Sequence, residues 1–257
     1  MILFLALMLA GRTPEQLEAM SLQARAELQD GDYGRAMQHA RQTYQLATAE
    51  LKQRKLDEEP GLPLALGAAI EVQAQAMSAQ GQRSDAVEYL RGELKKYHGT
   101  SIRARIQKNI NLLSLEGKPA PGLDLTHLSG PRTETRGKPE LLFFWAHWCS
   151  DCRNDAPVVA RLQKAFPGLA IVGPTQRYGY VAGGAEATAQ QESAYIERVR
   201  KQYFGTFAAP VNEENFKNYG ASTTPTFVLI DKRGIVRMYH PGAMTYDQLV
   251  ERIKPLL

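Results

Sequence analysis

Leu141-Leu142-Phe143-Phe144-Trp145-Ala146 runs straight into His147-Trp148-Cys149-Ser150-Asp151-Cys152, and Arg153 to Phe166 follows. The first six residues are continuously apolar, the pattern of a strand buried on both faces. Arg153 to Phe166 reads as a helix, with Pro157 in its early part. The order strand, cysteine pair, helix puts Cys149 at a helix N-terminus. That placement matters chemically. A free thiol with a pKa near 8.5 is mostly protonated at neutral pH, and only the thiolate attacks. Unpaired N–H groups and the helix dipole stabilise the anion. Cys149, the outer cysteine, is the expected nucleophile. Cys152, one turn into the helix, is expected to resolve the mixed disulfide, since two cysteines three apart at a helix start can meet disulfide geometry.

These are the only cysteines in 257 residues, so they cannot staple distant loops, and the pair reads as redox or metal chemistry. Structural zinc takes four ligands. The five histidines (39, 98, 127, 147 and 240) form no closely spaced pair, so no metal is expected. The cofactor reading is none beyond the redox-active disulfide Cys149–Cys152.

Downstream, the pattern alternates strands with helices, which implies an α/β domain. Ala170-Ile171-Val172-Gly173 reads as a strand, and about Glu192 to Tyr203 as a helix. Thr223-Thr224-Pro225-Thr226 leads into the apolar run Phe227-Val228-Leu229-Ile230. With these residues in view, the segment Trp145 to Cys152 resembles the active site of the thioredoxin superfamily. Gly117-Lys118-Pro119-Ala120-Pro121, the Thr-Pro strand about 75 residues after Cys149, and Lys232-Arg233-Gly234 are similar to the exported TlpA/ResA-like branch. The resemblance covers about residues 118–257. It implies a thioredoxin-like α/β fold and thiol–disulfide exchange on protein substrates. It also implies a cis Thr224–Pro225 bond facing the cysteines, with Trp148, Thr224 and Pro225 contacting substrate and the backbone before the proline pairing with the substrate chain, a short form of β-addition.

Two departures bear on the chemistry. Cytosolic thioredoxins carry a buried Asp on the strand before the motif, where this chain has Phe143. In the TlpA/ResA-like branch an acid six residues after the first cysteine can serve instead, and Asp155 holds that position. Either Asp155 moves the proton on and off Cys152, or it stabilises the first helical turns. Ser150-Asp151 is the second departure. An anionic Asp151 beside Cys149 raises the thiol pKa and argues against a strongly oxidising pair, while His147 and Arg153 are expected to push the other way.

Between the strand at 170–173 and the next helix lies Pro174-Thr175-Gln176-Arg177-Tyr178-Gly179-Tyr180-Val181-Ala182-Gly183-Gly184, long, glycine-rich and aromatic. Long loops are often functional. The stretch reads as a flexible insertion, with a substrate-binding rim as the alternative. It is not a nucleotide loop.

Residues 14–116 are rich in strong helix formers. Five helices are expected: Pro14 to about Gln29 behind a Thr13 cap, Tyr33 to Leu56, Leu64 to Ala79, a fourth capped by Ser84 and ending near Tyr97, and Ser101 to Leu115. Gly31-Asp32-Tyr33-Gly34-Arg35-Ala36 and Gly81-Gln82-Arg83-Ser84-Asp85-Ala86 share a turn glycine with an alanine five residues on, as in tetratricopeptide-like (TPR-like) hairpins. Their 50-residue separation departs from the usual period of about 34. Such hairpins either offer a groove to a protein partner or only extend or dimerise the chain. Gly117 to Gly122, with two prolines and two glycines in six residues, marks the boundary between an 11–116 helical domain and a 117–257 redox domain. Residues 1–10 are apolar and too short to span a membrane, which needs about 20. They read as a signal segment, and so as export to the periplasm or a similar compartment.

The net charge of +4 falls entirely in residues 118–257, without the dense basic stripe of a nucleic-acid binder. The expected function is thiol–disulfide exchange on protein thiols and disulfides, reductase rather than oxidase, fed by a membrane or soluble thiol donor. The rival is a scaffold whose helical half binds a partner while the cysteine pair senses redox state. A peroxidase would want Thr or Ser where Ala146 stands.

Overall fold

The centre of the redox unit is β2 (Glu140–Phe144), whose last four residues are buried. In a computed structural model describing residues 14–205 and 207–257, it lies inside a four-stranded sheet. The order is β3 (Ala170–Val172), β2, β5 (Thr226–Ile230), β6 (Val236–Pro241). β3 runs parallel to β2, whereas β5 is antiparallel to both β2 and β6, so the sheet is mixed. A separate two-stranded ribbon pairs β1 (Leu128–Ser129) with β4 (Ala209–Pro210).

Alternate residues of a strand face opposite sides, and β2 feeds two cores this way. Leu141 and Phe143 pack with α6 (Ser150–Ala165), α7 (Ala189–Val199) and α9 (Tyr246–Ile253), through Val159, Leu162, Ile196 and Leu249. Leu142 and Phe144 pack on the other face with Phe216 and Tyr219 of α8 (Glu213–Tyr219). Burying each such side chain contributes about 1.5–3 kcal/mol, so β2 holds both layers and fixes where its C-terminal end points. Gly173, directly after β3, has no room for a side chain: a Cβ there would sit 2.2 Å from the Phe207 ring.

The helical unit has five α-helices among the described residues: α1 (Pro14–Gln29), α2 (Tyr33–Glu50), α3 (Gly61–Ala79), α4 (Arg83–Lys96) and α5 (Arg103–Ser114). The two matching sequence patterns form the same turn. At the first, the Gly31 N–H bonds Leu28 O and the Asp32 N–H bonds Glu27 O. At the second, Gly81 bonds Ser78 O and Gln82 bonds Met77 O. This is the Schellman arrangement, and its C′ residue takes a left-handed φ of 78° at Gly31 and 86° at Gly81, which favours glycine. Ala36 and Ala86 are fully buried where the paired helices meet.

Several expected boundaries are corrected. The second helix ends at Glu50 rather than Leu56, because Arg54 pairs with both Glu50 and Glu59 and a short 3-10 turn drives Leu56 into the core. α3 begins at Gly61, since Pro63 in a first turn loses no helical bond. Gln82, not Ser84, is the N-cap of α4. The fifth helix starts at Arg103, two residues later than expected. The helix expected from Glu192 begins at Ala189 behind a Thr188–Gln191 capping box, and ends as a π-turn over Arg200–Phe204. The chain divides into compact units between Leu113 and Ser114, three residues before the sequence boundary. Leu115 packs with Phe144 and Phe216, and the Gly117 N–H bonds Val236 O, so these residues belong to the redox unit. Residues 1–10 and the Thr13 cap lie outside the described residues. No helix among the described residues is long and apolar enough to cross a membrane.

Candidate active site

β2 ends at Phe144, and Trp145 continues inward, its indole N–H donating to Gly173 O at 2.8 Å. The chain then turns, with the Cys149 N–H bonded to Ala146 O, and enters α6. Cys149 is the N-cap of that helix, and its Sγ accepts the Cys152 N–H at 3.0 Å. An anion at Sγ would therefore be met by a helix N-terminal donor and the dipole together. The two sulfurs are joined as a disulfide, with Cα atoms 5.3 Å apart. Cys149 is 4% exposed and Cys152 fully buried, so Cys149 is the sulfur open to attack. α6 runs on through Pro157 to Ala165.

The opposite wall is the segment before β5. The Thr224–Pro225 peptide bond is cis, and the Thr224 carbonyl oxygen lies 3.5 Å from Cys149 Sγ. Register explains the approach: Phe144 is paired with Thr226 across the sheet, so the residues after β2 and those before β5 share one end. A reduced Cys149 thiol could donate to that oxygen. Trp148 is 47% exposed, a large apolar surface next to the outer sulfur. Ser150 and Asp151 are exposed in the first turn of α6.

Asp155 lies three residues beyond Cys152, hence on the same helix face, and is buried. Burial pushes its carboxyl pKa above the ordinary range; a hydrogen bond from the Met244 backbone opposes this and the charge of Asp151 adds to it. Its buried Oδ2 has no hydrogen-bond partner among the described residues. A carboxyl so placed gains from holding a proton.

The structure corrects the expectation for His147. Rather than lending positive charge to the thiol, the ring is 1% exposed, and burial lowers its pKa although its Glu192 partner opposes the shift. Arg153 remains as the nearby cation, donating to His147 O at 3.1 Å and lying over the Tyr203 ring.

The 174–184 stretch is also corrected: it is built into the site. Its chain closes on itself through Val181 N–H to Ala185 O and Ala187 N–H to Gly179 O. Glu192, buried on α7, accepts the Tyr178 N–H at Oε1 and the Gly179 N–H at Oε2, at 2.5 and 2.8 Å. Its Oε1 is also 3.0 Å from His147 Nε2. Tyr178 and Tyr180 lie in the stretch for which a substrate-binding rim is the alternative reading, but Glu192 is not legible as a site residue, because 45 residues separate it from His147 and no motif links them. The aromatic, glycine-rich composition of the loop was the one available signal.

Residues 132–256 match the family described as a thioredoxin-like domain. Over 149 residues the chain is 30% identical to the thiol:disulfide interchange protein DsbE of Xylella fastidiosa, covering 56% of this chain and 70% of that protein. It is 29% identical to the thioredoxin-like protein YneN of Bacillus subtilis over 143 residues, 54% of this chain and 78% of that one. It is also 29% identical to the thiol-disulfide oxidoreductase ResA of Bacillus thuringiensis over 147 residues, with coverage of 54% and 78%.

Proposed function

The chain belongs to the thioredoxin-like family of thiol–disulfide oxidoreductases, and from that premise we propose that it reduces disulfides of proteins in an exported compartment. The observation that carries the reading is Cys149 at the N-terminus of α6, its sulfur facing the carbonyl of Thr224. In the reduced protein the Cys149 thiolate attacks one sulfur of the target disulfide. That bond breaks, a mixed disulfide forms, and one target thiolate leaves. Asp155 accepts the proton of the Cys152 thiol, and the Cys152 thiolate attacks Cys149 Sγ. The second target thiolate leaves, two electrons have passed to the target, and Cys149–Cys152 is oxidised. A thiol donor, membrane-bound or soluble, restores the dithiol.

Trp148 and the Thr224–Pro225 backbone contact the target chain. Ser150 and Asp151 set the poise: an acid beside the thiol works against a strongly oxidising pair. The apolar residues 1–10 support export. The decisive experiment is the reduction potential of the Cys149–Cys152 pair, measured by equilibration with glutathione or dithiothreitol. A value at or below roughly −230 mV supports a reductant. A value near about −120 mV belongs with oxidants and makes disulfide formation the activity.

A further inference from the structure

Glu192 is a charged-type side chain with 1% exposure, and so is its neighbour His147. Buried carboxylates are costly unless several donors meet them. Here three converge: the backbone N–H groups of Tyr178 and Gly179, and His147 Nε2. Because Oε1 also accepts the Tyr178 N–H, the shared contact is made with the proton on His147 Nε2, which donates to Oε1. One side chain on α7 thus ties the 174–187 loop to the residue two before Cys149.

What this tie holds in place is aromatic. Tyr178, Tyr180 and Tyr195 pack edge-on around the His147 ring at 5.6, 5.4 and 5.3 Å between centroids. Tyr178 also meets Trp148 edge-on at 5.5 Å. Trp148 is the exposed aromatic residue adjoining Cys149, and Tyr178 and Tyr180 are only half-buried. Tyr178 lies 6.2 Å from Tyr180 between centroids, so the three rings form one contiguous aromatic group.

We propose that Glu192 is the positioning residue of a substrate-recognition wall formed by Trp148, Tyr178 and Tyr180, and that this wall takes an aromatic side chain next to the target cysteine. The proposal rests on the oxidoreductase reading above and adds which protein disulfides are preferred. A rigid edge-and-face aromatic surface gains a further aromatic contact at low entropic cost, because its own rings are already held. Without Glu192 the Tyr178 and Gly179 N–H groups lose their acceptor, and the wall is released.

The test uses the full reduced chain and two short peptides, each with one cysteine blocked as its disulfide with 2-mercaptoethanol. They differ only before the cysteine, Tyr in one and Ala in the other. The wild type is expected to favour the Tyr peptide by about 3- to 10-fold in kcat/KM, the size of one aromatic contact. In Glu192→Gln and in Tyr178→Ala the ratio is expected to fall to near 1, through a higher KM for the Tyr peptide. Tyr178→Ala leaves Glu192 and its donors in place, so it decides the matter alone if Glu192→Gln does not fold. A wild-type ratio near 1, or a ratio retained in either folded variant, overturns the proposal. Failure of the wild type to reduce either peptide overturns the oxidoreductase reading instead.

Discussion

Cys149 Sγ lies 3.5 Å from the carbonyl oxygen of Thr224, across a gap that the sheet closes from two distant parts of the sequence. The outer sulfur thus has a helix N-terminus on one side and a backbone edge on the other, so an incoming chain can be held at the edge while its sulfur meets Cys149.

The division of labour between the cysteines predicts opposite phenotypes. Cys149→Ser should abolish exchange. Cys152→Ser should still attack but fail to resolve, and so accumulate a covalent mixed disulfide with a peptide substrate. Mass spectrometry under non-reducing conditions reads both outcomes. A trapped adduct in Cys149→Ser would reverse the assignment.

Asp155, with its raised pKa, should show in the pH profile of the resolving step. The carboxyl accepts the Cys152 proton only when ionised, so the step should speed up as pH rises through the Asp155 pKa. Asp155→Asn should lose that limb and slow resolution by about 10²-fold, the low end of general-base contributions. Stopped-flow Trp fluorescence across pH 4–9 would follow it. An unchanged profile would leave Asp155 a purely structural residue.

Glu140, at the start of β2, has its carboxyl pushed up to about 7 by burial. A carboxyl whose folded pKa exceeds its unfolded value favours folding when protonated. That contribution is complete below the unfolded pKa of 4.5 and is lost as pH rises through about 7. Glu140→Gln should therefore flatten the stability profile, gaining roughly 3 kcal/mol over the wild type at pH 8 and little at pH 4. Urea unfolding at the two pH values checks the sign.

Gly173→Ala should destabilise the redox unit by about 1–3 kcal/mol, the usual cost of overpacking. The added Cβ would fall 2.2 Å from Phe207, whose ring packs in the core beside Phe204. A lowered unfolding midpoint, with the cysteine pair still reducible, is the expected result.

The local sequence settled what depends on neighbours in the chain. The apolar run before His147 made a strand, the helix formers after Cys149 made α6, and together they set the cysteine pair at a helix start, because strand burial and helix capping are short-range. Turns fixed by a left-handed residue, as at Gly31 and Gly81, were legible for the same reason. Helix ends decided by remote partners were not: the stop at Glu50 depends on Arg54 reaching Glu59 and on Leu56 entering the core. Nor was the charge state of His147, which looked like a cation beside the thiol until burial against Glu192 and three tyrosines withdrew it from water. The cost of burying charge depends on everything that surrounds a group in space. For that reason only the tertiary structure could convert an aromatic loop and a distant glutamate into one side of the active site.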